Sequence, residues 1–236
     1  MVKFYIKNKR DYLSINDLEE TLVENIVWVE MFSPNLDEIK LVEEKFAIHF
    51  PTKQESEEIE ISSRYWEEDD RIEINSYFLV ASQENARNET VSFILKKNLL
   101  ISVRYYDLRT IDEMQKRYHA STKLFQDGND VLNMILDIRI DSDADIIEQQ
   151  SRDITKIRRL VFTDYKNEDE EILEKISHYE DLNMKIRENL TDKQRILSSL
   201  LKSPNYKQGL KDEVQVMIKD VRSLVEYTQF NFERLE

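Results

Sequence analysis

Cysteine is absent from this 236-residue chain, and it carries only two glycines and three prolines. Without cysteine there are no disulfides, thiolate nucleophiles or cysteine-based zinc sites, a usage that fits a reducing compartment. With Gly128 and Gly209 the only glycines, no phosphate loop, dinucleotide fingerprint or nucleophile elbow can be built. His49, His119 and His178 lie in different segments with no i,i+4 relation, so they compose no zinc or hydrolase signature and read as structural or surface residues. Long apolar runs are missing too. The longest, Tyr77 to Ala81, has five residues, against the roughly 20 a membrane helix needs. The first ten residues, Met1 to Arg10, lack the apolar core of a signal peptide. As given, the chain is expected to be soluble.

What the chain has in excess is acid. Its 48 Asp and Glu outnumber 34 Lys and Arg, for a formal net charge of −14. Such a surface repels phosphate backbones and anionic membranes but concentrates divalent cations, so nucleic acid is not an expected partner. Copies of the chain repel one another as well, so the chain by itself is expected to associate weakly. A hydrophobic content of 40% with few turn residues excludes disorder and turn-rich all-β folds and implies long helices.

Residues 1–128 read as mixed α/β. Val2 to Lys7, Ile26 to Phe32 and Arg71 to Val80 have strand patterning, and Val91–Leu95 with Leu99–Val103 form a hairpin around a Lys-Asn turn. Ser33 as N-cap and Pro34 at the first helical position predict a helix over about 34–46. Ser14 to Glu24 and Leu108 to about Phe125 read as further helices. From 129 to 236 the period becomes helical throughout. Ile140, Ile147, Ile154 and Val161 recur every seven residues, the period of a coiled-coil seam. Ile172, Ile176, Tyr179, Ile186, Leu190, Leu197 and Leu200 mark a second long helix, paired with the first as a hairpin, with a break near Asp164–Asn167. After Ser203-Pro204-Asn205 a final helix begins at about 207, with Leu210, Val214, Met217, Val221 and Leu224 as its seam. Thr228 and Asn231 follow in that seam, where polar side chains fix register, line a wet axis or belong to a frayed terminus. No stop signal precedes Glu236, which suggests truncation mid-helix.

Two acidic clusters invite a metal reading. Glu55, Glu57, Glu58, Glu60, Glu67, Glu68, Asp69 and Asp70 face a single Arg64 in one segment, and carboxylates suit hard cations. The spacing is not that of an EF-hand, and a charge run is usually a solvated face. Asp141, Asp143 and Asp145 alternate, but on a helix they splay over different faces and are expected to be solvated.

Read in order, these pieces resemble the CorA family of magnesium channels. Val27-Trp28-Val29-Glu30 followed by Ser33-Pro34 and Leu36-Asp37-Glu38-Ile39 is similar to that family's tryptophan strand and Pro-led helix, and Phe46-Ala47-Ile48-His49 to its Phe-Gly-Ile/Leu-His step. The hairpin Ser92 to Val103 matches as well. Departures are Phe50-Pro51-Thr52-Lys53-Gln54-Glu55, where many members have Pro-Leu-Ala-Leu-Glu-Asp, and Ile61-Ser62-Ser63-Arg64 in place of Gln-Arg-Pro-Lys. The family's Gly-Met-Asn signature is absent. The resemblance implies an α/β/α sandwich, the funnel domain, over 1–128, followed by stalk-type helices over 129–236, the last continuing into a first membrane span. It implies a non-enzymatic, metal-sensing cytoplasmic domain of a homopentameric channel at the inner membrane. Carried over position by position, it also implies a regulatory, low-affinity Mg2+ between subunits, held by Glu55 of one and Asp220 of the next. The zinc-transporting branch of the superfamily shares this domain shape, but carboxylates and few histidines favour magnesium. A soluble acidic coiled-coil scaffold is the alternative of another class.

Overall fold

In the computed structural model, the described residues are 1–18, 20–50, 64–81, 86–163, 169–235. The strands are β1 (Val2–Ile6), β2 (Ile26–Phe32), β3 (Tyr65–Glu68), β4 (Arg71–Ala81), β5 (Ala86–Lys96) and β6 (Leu99–Arg104). They form one six-stranded sheet in the order β1-β2-β6-β5-β4-β3, antiparallel except between β2 and β6. Helix α1 (Leu36–Phe46) covers one face. The other face is covered by α2 (Arg109–Ala120), α3 (Gly128–Thr163), α4 (Asp169–Lys202) and α5 (Lys211–Glu233).

Period two sorts the strands onto these layers. In β2, Val29 and Met31 join Phe4, Ile101 and Val42 on the α1 side, while Trp28 turns toward Tyr5, Leu100 and the long helices. Because β2 is covered on both faces, it reads as a nearly unbroken apolar run. Its one acid, Glu30, is 1% exposed and fully engaged. It accepts hydrogen bonds from Arg104 (2.9 Å), Gln115 (2.7 Å) and Tyr5 (3.1 Å), with Lys3 3.7 Å away. Burial beside this carboxylate pushes the Tyr5 hydroxyl well above its usual range. Trp28 donates its indole N–H to Ser102 (2.9 Å), so every polar group of the Trp-Val-Glu motif is met across the sheet.

Several boundaries differ from those the sequence suggests. Asn35, not Ser33, caps α1, in a capping box with Glu38. Ser33 has φ 41° and donates its N–H to Arg104 O, so Pro34 lies outside the helix. The segment Ser14–Glu24 is not an α-helix but two 3-10 turns, Ile15–Asp17 and Glu20–Asn25. Leu13 bridges to Phe4 and Asn25 O receives Lys7 N, so both ends of the connection are tied to the sheet. Tight turns keep Ile15, Leu18, Leu22 and Val23 on the α1-side core. Helix α2 ends at Ala120, five residues short of Phe125, which is itself buried. The short edge strand β3 had no signal in the sequence pattern, and the break expected at Asp164–Asn167 falls outside the described residues.

The long helices share one hydrophobic core with the sheet. Ile140, Ile147 and Ile154 are buried at the heptad seam of α3, as are Ile186, Leu190, Leu197 and Leu200 in α4 and Val214, Met217 and Val221 in α5. Thr228 and Asn231 are fully buried, so they do not belong to a frayed end. Asn183 donates to Thr228 O (3.0 Å), Gln150 to Tyr179 O (3.0 Å) and Asn231 to Gln150 (3.5 Å), which makes a polar layer across α3, α4 and α5.

A buried charged chain joins the helices to β4. Asp192 of α4 accepts from Arg64 Nε (2.9 Å), Ser76 (3.0 Å) and the backbone N–H of Tyr77 (2.8 Å). Lys193 donates to Tyr77 O and to Asn189 (2.6 Å), Asn189 donates to Asp143 of α3 (2.8 Å), and Arg139 pairs with Asp143 and with Leu79 O (3.3 Å). Asp143 is therefore not solvated as its alternation with Asp141 and Asp145 suggested. It is 0% exposed, because positions 140, 143 and 147 share one stripe of the helix. Burial pulls Lys193 down to about 8, against the raising effect of Asp192 and Asp143.

The unfolded chain therefore binds more protons than the folded one between that value and an ordinary lysine's, and stability rises with pH there. We expect the urea midpoint to climb from pH 8 to about 9, below the range in which tyrosines of the unfolded chain ionise, and Lys193→Met to flatten that climb. A parallel slope in both proteins would show that Lys193 is not the titrating group.

Gly128 opens α3 where it meets the Lys97-Asn98 turn. Its N–H donates to Asn98 O (2.6 Å), and an added Cβ would lie 2.2 Å from Leu100 N. Nothing lies within 4 Å of a Cβ at Gly209. Gly128→Ala is expected to destabilise by about 2 kcal/mol or more through forced backbone movement, while Gly209→Ala changes stability by less than about 1 kcal/mol. Chemical denaturation of the pair checks the contrast.

Candidate functional site

The seam of α5 decides which of its side chains can meet a ligand. With Val214, Met217 and Val221 turned inward, Asp220 is exposed, and Glu213, seven residues earlier, lies on the same side of the helix. Glu213 accepts a hydrogen bond from Asn133 of α3 (2.6 Å). One and two turns beyond Asn133, α3 presents Asp137 and Asp141. Burial raises the Asp137 carboxyl above its ordinary value, and the charge of Asp141 adds to that. Arg117, 3.9 Å away, opposes it, and Glu213 and Asp220 contribute the rest. Four carboxylates thus lie on the sides of α3 and α5 that act electrostatically on one another.

Mutual repulsion alone is not coordination. Among the described residues no group of three or more His, Asp or Glu is placed to hold a metal ion. Glu55, together with Glu57, Glu58 and Glu60, lies outside the described residues. The other acids of that segment have structural partners. Glu67 accepts from Tyr65 (3.0 Å), Ser203 (2.5 Å) and Asn205 (3.0 Å), which fastens the α4–α5 connection to β3. Glu68 and Asp70 pair with Arg71 and Lys97, and Asp69 turns the chain at φ 44°. His49 pairs with Glu43 at 2.9 Å on the surface, and His119 meets Arg10 O. The sequence reading missed Asp137 and Glu213 and set Asp141 aside as a solvated acid. The four- and seven-residue spacings were visible, but which face of α3 opposes which face of α5 was not.

A family model, the CorA-like Mg2+ transporter protein, matches residues 23–236. This chain belongs to the CorA family. The magnesium transport protein CorA of Wolinella succinogenes is 40% identical over 217 residues, covering 90% of this chain and 67% of that protein. Its Campylobacter jejuni counterpart is 36% identical over 244 residues, covering 97% and 74%. In fold, the chain is similar to the soluble domain of CorA from Methanocaldococcus jannaschii, with a TM-score of 0.84 at 16% identity over 100% of this chain and 93% of that one. The cytoplasmic domain of ZntB from Vibrio parahaemolyticus gives 0.63 at 16% identity over 88% and 82%. The CorA sheet with its long helices is therefore the architecture described above, and the family is one of transporters, not enzymes. Among the described residues no helix is long and apolar enough to cross a membrane.

Because the Asp137 carboxyl is raised, its ionisation opposes folding above its ordinary value, and that cost is fully present at neutral pH. Asp137→Asn is expected to raise the urea midpoint modestly at pH 7, and the gain should vanish at a pH low enough to protonate Asp137. Urea titrations at pH 7 and near pH 3.5 test the sign.

Proposed function

We propose that this chain is the metal-sensing cytoplasmic domain of a homopentameric CorA-type channel for magnesium uptake. In this reading it lies on the cytoplasmic side of the inner membrane, and a segment following α5 supplies the pore. The observation that carries the proposal is Asp220, exposed on α5 on the same side as Glu213, where among the described residues no group of three or more His, Asp or Glu is placed to hold an ion. A divalent cation there needs oxygen donors from a second subunit, and Glu55 of the neighbour is the proposed source. The curated relatives named as magnesium transport proteins support the choice of ion. So does the chemistry, since carboxylates suit magnesium and imidazole suits zinc.

Magnesium keeps several of its waters, so two facing carboxylates around a hydrated ion form a weak site. Weakness is useful in a sensor of an abundant ion. If each of five sites binds only the closed state, free ion equal to Kd adds about 0.4 kcal/mol per site, roughly 2 kcal/mol in all. At ten times Kd the sum is about 7 kcal/mol, enough to move a two-state equilibrium almost completely.

In the full-length channel, Glu55→Gln with Asp220→Asn is expected to leave transport intact and to shift inhibition to internal magnesium roughly tenfold higher, a loss of about 1.4 kcal/mol of coupling. Conductance measured against internal magnesium is the test. An unchanged dependence in the double variant would overturn the assignment.

A further inference from the structure

Between α4 and β4 lies a pocket of about 550 Å³, lined in part by Arg64, Tyr77, Arg187, Asp192 and Arg195. In a chain of net charge −14, three guanidinium groups around one cavity run against the composition. Two of them come from one stripe of α4, since Arg187 and Arg195 are eight residues apart and so on the same face.

Arg64 is the group that points to a ligand. It is 6% exposed, its guanidinium lies 3.5 Å from the centre of the Tyr77 ring, and it meets Asp192 through Nε alone. Among the described residues Nη1 and Nη2 have no hydrogen-bond partner, although both are buried. A guanidinium presents two edges, and the one bearing both Nη atoms matches a carboxylate or phosphate with two parallel hydrogen bonds. Leaving such donors buried and unmet is unfavourable, so an oxyanion on that edge removes a penalty as well as adding contacts. The two acids of the pocket do not compete for it. Asp192 is used by Arg64 Nε, Ser76 and Tyr77 N, and Glu188 receives Asn88 (3.4 Å).

We propose that this pocket binds a small organic polyanion through the Nη edge of Arg64 and the guanidiniums of Arg187 and Arg195. The volume suits a molecule larger than a single phosphate ion, and the donor set recognises phosphate and carboxylate groups alike. Arg187 also donates to Gln229 of α5 (2.8 Å), so one guanidinium of the pocket is tied to the helix that carries Asp220. The site does not depend on bound magnesium.

The test is calorimetric titration of the 236-residue chain with inorganic pyrophosphate and, separately, with citrate, in magnesium-free buffer at low ionic strength. At least one is expected to bind at a single site with Kd below about 1 mM and to raise the melting temperature as its concentration rises. Pyrophosphate alone would identify a phosphate ligand, citrate alone a polycarboxylate, and both a general polyanion site. Arg195→Glu, at an exposed position, should weaken binding at least tenfold without moving the melting temperature of the free protein. Arg64→Lys, which keeps the charge but not the fork, should weaken binding as much, although it also loosens the buried Asp192 contact, and Arg195→Glu still decides the matter if Arg64→Lys fails to fold. Absence of binding by both probes, or equal binding by Arg195→Glu, would overturn the proposal. Binding that emerges only when Glu55, Glu57, Glu58 and Glu60 are all replaced by Gln would overturn it too, since the chain's own carboxylates would then hold that edge.

Discussion

The contact on which the rest of the structure depends is Asp192 against β4. A carboxylate on a helix is held there by a guanidinium, a hydroxyl and a backbone N–H. Lys193, beside it, is fully buried and reaches the backbone of the same strand, while Asn189, one turn earlier, passes the connection to Asp143 of α3. Buried ion pairs of this kind repay their desolvation only when geometry and hydrogen bonding are both good, so they add less to stability than to the definition of one arrangement. Apolar packing would let two long helices slide along a sheet in steps of a turn. The Asp192 cluster admits one position, because any other strands several charges without partners.

Elements that depend on local pattern were legible in the sequence. Alternation found β1, β2, β4 and the β5–β6 hairpin, and the seven-residue spacing of Ile140, Ile147 and Ile154 found the α3 seam. Elements that depend on what they pack against were not. The Ser14–Glu24 segment has helical spacing, but its ends are tied to the sheet and it closes as two 3-10 turns. Ser33 and Pro34 have the residue types of a helix start, yet a backbone bond to Arg104 holds Ser33 at positive φ and moves the cap to Asn35. Asp143 looked like one of three alternating surface acids, and only its place between Ile140 and Ile147 on the seam betrays its burial.

Acidity misled in the same way. Within the acidic segment, Glu67, Glu68 and Asp70 are taken up by hydrogen bonds and ion pairs that shape β3 and the α4–α5 connection. The acids that act on one another were elsewhere, on α3 and α5, and were dispersed in sequence. Asp137 lies more than seventy residues before Glu213, and neither stands in a charge run. A composition of −14 says that carboxylates must crowd somewhere, but the pairing of helix faces decides where. Of the proposed metal site, the sequence located Asp220 on its helix; the company it keeps there depends on tertiary packing.

That packing is fixed near the far end of α5 by the polar layer of Gln150, Asn183, Thr228 and Asn231. Each residue of an α-helix is turned by about 100° from the next, so a one-residue slip of α5 would carry Asp220 and Glu213 away from Asp137 and Asp141. Apolar seam residues such as Val214, Met217 and Val221 tolerate imperfect register, because hydrophobic contacts are not directional. Amide and hydroxyl groups buried among three helices are directional, and each lost partner is costly. With Asn183 reaching across to the Thr228 carbonyl, rotation of α5 cannot occur without breaking the layer. Polar residues that weaken the seam as a hydrophobic interface are thus what holds the acidic sides of α3 and α5 in register, and the orientation of Asp220 follows from side chains two to three turns away from it.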